Sequence, residues 1–115
     1  MMKENTFTVC CKGDPTIMTL EQFKAARSVL QGVLRSTHLI HSPYLSKGCG
    51  NNVYLKPENM QVTGAYKIRG AYYKISTLSE EEKARGLITA SAGNHAQGVA
   101  YAAQVMGVPA TIVMP

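Results

Sequence analysis

The feature that most constrains the fold is a strand–helix–strand pattern near the end of the chain. Residues 87–90 and 110–114 are short β-type runs, and residues 94–106 between them have a helical pattern. The helix carries small residues that would let it approach a sheet closely, at positions 96, 98, 100, 102 and 103. This order predicts a βαβ unit, and therefore an α/β fold with a parallel sheet and right-handed crossover helices.

Three further helices are predicted upstream of this unit. Residues 19–22 (TLEQ) form a capping box that opens a helix over 19–34. Residues 79–82 (SEEE) form a second capping box, which opens a short helix that ends at Gly86. Between them, a helix over 64–78 is indicated by apolar residues that share one face, at positions 68, 71, 72, 75 and 78.

The remaining segments predict two strands and an arm. Short β-type runs at 39–40 and 53–55 are separated by the turn-rich stretch 48–52, so we expect two strands joined by a turn. Residues 1–18 have no clear period and predict an extended arm. A chain of 115 residues has room for one domain at most, and its predicted parallel strands are too few to close a sheet. We therefore expect residues 19–115 to be the N-terminal portion of a larger domain.

Composition argues against several classes of protein. The formal net charge is +5, but the basic residues are scattered and not interleaved with aromatic residues, which disfavours nucleic-acid binding. The sequence lacks an apolar run of membrane-spanning length and a visible secretory signal, so we expect a cytoplasmic protein without membrane contact. The cysteines and histidines have neither disulfide nor metal-ligand spacing, so no metal is expected: Cys10, Cys11, Cys49, His38, His41 and His95.

Lys67 is the first candidate for chemistry. It falls in the first turn of the predicted helix 64–78, where the helix dipole opposes an ammonium group, and Arg69 adds a second cation two residues on. Both effects favour the neutral amine, which can attack a carbonyl group. From the residues alone, a solvated surface lysine remains the commoner alternative.

The second candidate is the loop 91–98 between the predicted strand 87–90 and its helix. Unpaired N–H groups at such a helix start form a ready anion site, at the strand end where α/β sheets bind ligands. Gly93 permits a sharp turn, and Ser91 and Asn94 add hydrogen-bonding groups. Simple helix capping by Ser91 or Asn94 explains the same residues equally well.

Both segments resemble a known family. Residues 54–59 (YLKPEN) followed by 63–71 (TGAYKIRGA), and then 91–98 (SAGNHAQG), are similar to the cofactor-lysine and substrate-loop motifs of threonine dehydratases, which are fold-type II pyridoxal-phosphate enzymes. The family pattern Thr-Gly-Ser-Phe-Lys-x-Arg-Gly is met here with Ala65 for the serine and Tyr66 for the phenylalanine.

The resemblance implies a set of site residues. Lys67 would bind pyridoxal 5'-phosphate together with Tyr66, and Asn94 would bond the phenolic oxygen of the cofactor. The substrate carboxylate would lie against the loop Ser91, Ala92, Gly93, Asn94 and His95, with His95 shaping the loop rather than acting as the base.

The implied reaction converts L-threonine to 2-oxobutyrate and ammonia, and L-serine to pyruvate and ammonia, in a homo-oligomer. In the family, the phosphate loop and the group at the pyridine nitrogen lie further along the chain, so we expect these 115 residues to be inactive alone. Two alternatives stay open: a serine racemase or related β-eliminating enzyme, and a non-catalytic remnant that acts only by protein association.

Overall fold

The computed structural model describes residues 18–115 as an α/β arrangement of helices around two small sheets. The predicted arm 1–18, with Cys10 and Cys11, lies outside the described residues except for Met18. In chain order the elements are α1 (Leu20–Leu30), β1 (Ile40–His41), α2 (Pro43–Cys49), β2 (Tyr54–Leu55), a 3-10 helix (Glu58–Met60), α3 (Lys67–Ser76), α4 (Glu80–Ala84), β3 (Leu87–Ala90), α5 (Asn94–Met106) and β4 (Ala110–Val113).

The strand–helix–strand unit is confirmed. β3 and β4 pair in parallel, with Leu87 opposite Ala110 and Ala90 opposite Val113, and α5 connects them. The pairing continues at the end of the sheet, where the Ser91 N–H donates to the Val113 carbonyl at 3.0 Å. β4 ends at Val113, one residue earlier than predicted. Because Ser91 is still tied to β4, the loop that follows β3 starts from a fixed position.

The core lies where α3 packs on α5. From α3 it takes Ile68, Ala71, Tyr72 and Ile75, and from α5 Val99 and Ala102. The two helices approach closely because α5 has a glycine at the contact: a Cβ on Gly98 would lie 3.3 Å from both Cα and N of Ile68. The small residues of α5 therefore bring it against a helix as well as a sheet.

Both capping boxes are confirmed, whereas two helix boundaries were predicted wrongly. Thr19 and Ser79 each cap their helix with the reciprocal side-chain bond in place. α1 ends at Leu30 instead of residue 34, because the chain turns through Gly32. α3 starts at Lys67 instead of residue 64, since Gly64 has φ +68° and cannot continue a right-handed helix.

The connection between the first two strands was also predicted wrongly. β1 and β2 do pair, antiparallel, but the helix α2 lies between them in place of a simple turn. The Ser42 side chain accepts from the Leu45 N–H, Pro43 takes the first helical position, and Gly50 ends the helix in the left-handed conformation. Among the described residues, no helix is long and apolar enough to cross a membrane.

Candidate active site

Lys67 is the first residue of α3, and its side chain is exposed. The preceding residue Tyr66 occupies the N-cap position and is 63% exposed. The helix N-terminus therefore lies directly beneath the Lys67 amine, as the sequence suggested, and its partial positive charge opposes an ammonium group there. The exposure leaves both side chains accessible to a ligand.

Arg69 does not act as the free second cation that the sequence suggested. Its guanidinium makes a bidentate pair with Glu58, with Nε–Oε2 at 2.8 Å and Nη2–Oε1 at 2.7 Å. These bonds lower the pKa of Glu58 to about 2 against the opposing effect of burial, and the same pairing raises the pKa of Arg69. The positive charge near Lys67 is thus balanced by a carboxylate.

Two residues missed by the sequence reasoning complete this cluster. The Thr37 hydroxyl donates to Glu58, and Thr37 is 7% exposed. The Lys56 ammonium donates to the Thr37 carbonyl at 2.6 Å and lies 3.9 Å from the Glu58 carboxylate. Lys56 and Glu58 belong to the motif 54–59 that carried the resemblance, which was the available signal, whereas nothing in the local sequence pointed to Thr37.

Gln61 anchors the loop that leads to Lys67, and it was also missed. The residue is 3% exposed, and its side chain bonds both backbone groups of Arg35: the Arg35 N–H donates to Oε1 and Nε2 donates to the Arg35 carbonyl, each at 2.9 Å. Its Oε1 also accepts from the Val62 N–H at 3.0 Å. The loop is therefore fixed to a segment 26 residues away in sequence.

The substrate loop of the sequence prediction lies at the carboxyl end of β3 and leads into α5. Gly93 is the N-cap of α5, and within residues 18–115 no side chain caps this helix start. Ser91 accepts from the Gly93 N–H at 3.3 Å, so its hydroxyl stabilises the loop rather than the helix. The capping alternative is thereby excluded for Ser91 and Asn94, and the first-turn N–H groups remain available to an anion.

The two predicted segments are brought together by one contact. Gly98 in the second turn of α5 lies against the backbone of Ile68 in the first turn of α3. The N-terminal turns of the two helices are therefore neighbours, one carrying Lys67 and the other following the loop 91–95. Asn94, His95 and Ala92 are exposed, and Ser91 is half-buried.

Thr63, four residues before Lys67, has a hydroxyl without a partner. Its Oγ1 is buried and makes no hydrogen bond to any described residue. Such a group normally finds a partner, because leaving it unsatisfied costs about 1–3 kcal/mol. Among residues 18–115, no three His, Cys, Asp or Glu side chains converge as metal ligands would.

Comparison with known proteins identifies the family. Residues 30–115 match the family model described as pyridoxal-phosphate dependent enzyme. The chain belongs to this family. It is 59% identical over 99 residues to the L-threonine ammonia-lyase of Thermotoga maritima, and this match covers 86% of the chain and 25% of that protein.

Solved structures give the same assignment at the level of the fold. The crystal structure of a threonine deaminase of the organism abbreviated T.th. matches with a TM-score of 0.74 and 43% identity, over 85% of this chain and 31% of that one. Maize serine racemase matches with a TM-score of 0.77 and 35% identity, over 84% of this chain and 30% of that one. The fold is therefore that of the fold-type II pyridoxal-phosphate enzymes, and the chain spans about a quarter to a third of the relatives it matches.

The observed residues fit the cofactor of the family. An exposed amine at Lys67, an open helix start at α5 and the unpartnered Thr63 hydroxyl lie on or beside the two matched motifs. An amine is the group that binds a carbonyl cofactor, and free N–H groups suit an anionic ligand.

Proposed function

We propose that the chain supplies the N-terminal part of a pyridoxal-phosphate-dependent L-threonine ammonia-lyase that also accepts L-serine. The observation that carries the proposal is the Gly98–Ile68 contact, since it makes the start of the Lys67 helix and the open start of α5 parts of one site. The 59% identity to a protein named L-threonine ammonia-lyase supports threonine as the substrate. The products are 2-oxobutyrate and ammonia, or pyruvate and ammonia from serine.

The roles of the residues follow from their positions. When bound, pyridoxal phosphate supplies the carbonyl that a lysine amine can hold and a ring that takes up an electron pair from the substrate. Lys67 is the residue that holds it, with the exposed ring of Tyr66 beside it. Once the substrate amine has replaced it, Lys67 Nζ accepts the α-proton.

The loop 91–95 orients the substrate. The N–H groups at the start of α5 bind the substrate carboxylate, with the Ser91 hydroxyl and the backbone of Gly93 shaping the loop. The Asn94 amide donates to the phenolic oxygen of the cofactor. His95 lies on the same loop and holds its shape. The proton acceptor and the carboxylate site thus come from the starts of two neighbouring helices.

Replacing Lys67 in the complete protein tests this proposal. Lys67→Ala should abolish both ammonia release from threonine and the borohydride-fixed cofactor adduct, which peptide mass mapping should find on Lys67 in the wild type. Lys74→Ala is the matched control, because Lys74 is an exposed lysine in the last turn of the same helix. An adduct on another lysine, or a Lys67→Ala variant with normal turnover, would refute the assignment.

Serine racemase activity is the second candidate. It is favoured by the TM-score of 0.77 to maize serine racemase, against 0.74 to the threonine deaminase, although the identity is lower, 35% against 43%. Product analysis separates the two: 2-oxobutyrate and ammonia from threonine support the lyase, and D-serine from L-serine supports the racemase. A complete protein without cofactor absorbance would instead support a non-catalytic role in protein association.

The proposal includes a cytoplasmic homo-oligomer that acts on a small amino-acid substrate. This part rests on the likeness to the family. Sedimentation of the complete protein tests the oligomeric state, and cell fractionation tests the location.

A further inference from the structure

Glu58 joins three separated segments beside the first turn of α3. Its carboxylate accepts two short bonds from Arg69 in the bidentate geometry that orients both groups. It also accepts from the hydroxyl of the buried Thr37, and the Lys56 ammonium lies 3.9 Å away. Glu58 therefore faces two cations and a hydroxyl, and Lys56 is in turn tied to the Thr37 carbonyl.

The backbone under Glu58 is anchored independently of this cluster. The Gln61 N–H donates to the Glu58 carbonyl at 3.1 Å, and the Gln61 side chain bonds both backbone groups of Arg35. An ion pair between two mobile surface side chains orders little. Here one partner belongs to an anchored loop, and the other follows the fully buried Ile68 in α3.

We propose that Glu58 is a positioning residue for Lys67, acting through Arg69 to set the first turn of α3 against the substrate loop. The Glu58–Arg69 pair closes the intervening segment 59–68 from both ends, and Lys67 lies within it, two residues from Arg69. Residues 61–66 of that segment are turns and bends, so its geometry depends on such end contacts. The inference rests on the proposed function, because only a reacting lysine gives its position a kinetic meaning.

Hydrogen exchange of the 115-residue chain tests the positioning directly. Glu58→Gln keeps the shape of the side chain and removes its charge, whereas Arg69→Lys keeps the charge and loses the fork. Each should speed amide exchange in peptides covering 62–72 by about tenfold, and leave peptides covering 94–106 within about twofold. The control is Glu80→Gln, which breaks the exposed Glu80–Lys83 pair of 2.8 Å elsewhere on the chain and should change neither region.

Two outcomes of this experiment overturn the inference. If both variants speed exchange equally in the two regions, Glu58 supports global stability and does not position Lys67. If neither variant changes exchange in 62–72, the pair does not hold this segment. Arg69→Lys keeps the test informative if Glu58→Gln fails to fold, since it preserves the net charge of the cluster.

Kinetics and spectroscopy of the complete, cofactor-loaded protein provide the second test. Glu58→Gln should lower kcat for L-threonine at least about tenfold with KM within about threefold, because it misplaces the proton acceptor without removing substrate contacts. It should also alter the visible circular dichroism band of the cofactor, which Glu80→Gln should leave unchanged. Wild-type kcat and an unaltered band in Glu58→Gln would overturn the inference.

Failure of the proposed function looks different. If the wild-type protein holds the cofactor on Lys67 but releases no ammonia from threonine, the proposed reaction is wrong. The exchange rates and the circular dichroism band then still decide the role of Glu58.

Discussion

Replacing Gly98 by alanine tests the contact on which the candidate site depends. The added Cβ would lie 3.3 Å from Cα and N of Ile68 and 3.5 Å from Cβ of Ala71. Carbon atoms in contact prefer separations of about 3.5–4.0 Å, so α3 and α5 must move apart by a few tenths of an ångström. The neighbouring atoms are mostly backbone, and Ile68 and Ala102 are fully buried, so a side-chain rotation cannot relieve the strain.

The expected magnitude is a balance of two effects. Alanine in place of glycine in a helix is favourable by about 0.5–1 kcal/mol. Overpacking a well-filled core costs about 1–3 kcal/mol. Gly98→Ala should therefore lower the free energy of unfolding by roughly 0.5–2 kcal/mol, and it should also shift the start of α3 and hence Lys67.

Gly70→Ala is the matched control within α3. A Cβ at Gly70 meets nothing within 4 Å, so only the helix preference acts, and the substitution should stabilise the chain by about 0.5–1 kcal/mol. Urea unfolding of the two variants and the wild type, followed by far-ultraviolet circular dichroism, measures the difference. If Gly98→Ala were as stabilising as Gly70→Ala, the close approach of the two helices would be refuted.

Acid unfolding, a loop substitution and a side-chain truncation test other parts of the structure. Pairing lowers the pKa of Glu58 from 4.5 to about 2, so its contribution is full above pH 4.5 and is lost as the pH falls toward 2. Glu58→Gln should then be less stable than the wild type by roughly 1–3 kcal/mol above pH 4.5, with the gap closing near pH 2. Urea unfolding across this range measures it, and a gap independent of pH would contradict the pairing. Gln61→Ala should cost about 1–3 kcal/mol in the same assay, because it leaves the buried Arg35 and Val62 backbone groups without partners. A neutral effect would show that water replaces the side chain. In the complete protein, Asn94→Ala should retain cofactor absorbance but slow ammonia release by a factor on the order of 10². An unchanged rate would remove Asn94 from the site.

The sequence by itself determined the elements that local interactions specify. The pattern of β3, α5 and β4 predicted both their bounds and their parallel pairing almost to the residue. Capping boxes at Thr19 and Ser79 were predictable because each bond joins residues three apart. The same holds for Lys67 at a helix start, since the helical period and the glycines that surround it are written in consecutive residues.

Helix boundaries and the connection through α2 were less predictable. Leu34 fits the apolar period of α1, yet the chain turns at Gly32, and Gly64 delays α3 to Lys67. Periodicity extends a helix as long as apolar residues recur, whereas the backbone conformation of single glycines ends it. The helix α2 was missed because its cap, Ser42 followed by Pro43, was overlooked beside the neighbouring turn residues.

Only the tertiary structure decided how the site is held together. The sequence suggested that Arg69 adds a charge beside Lys67, but this charge is balanced by Glu58, 11 residues earlier. Gln61 reaches Arg35 across 26 residues, and Gly98 meets Ile68 between two helices. These contacts depend on how distant segments fold against each other, and a charged or polar residue has many possible partners in a sequence. A local pattern therefore locates the reacting groups, and long-range packing determines their neighbours and their charge.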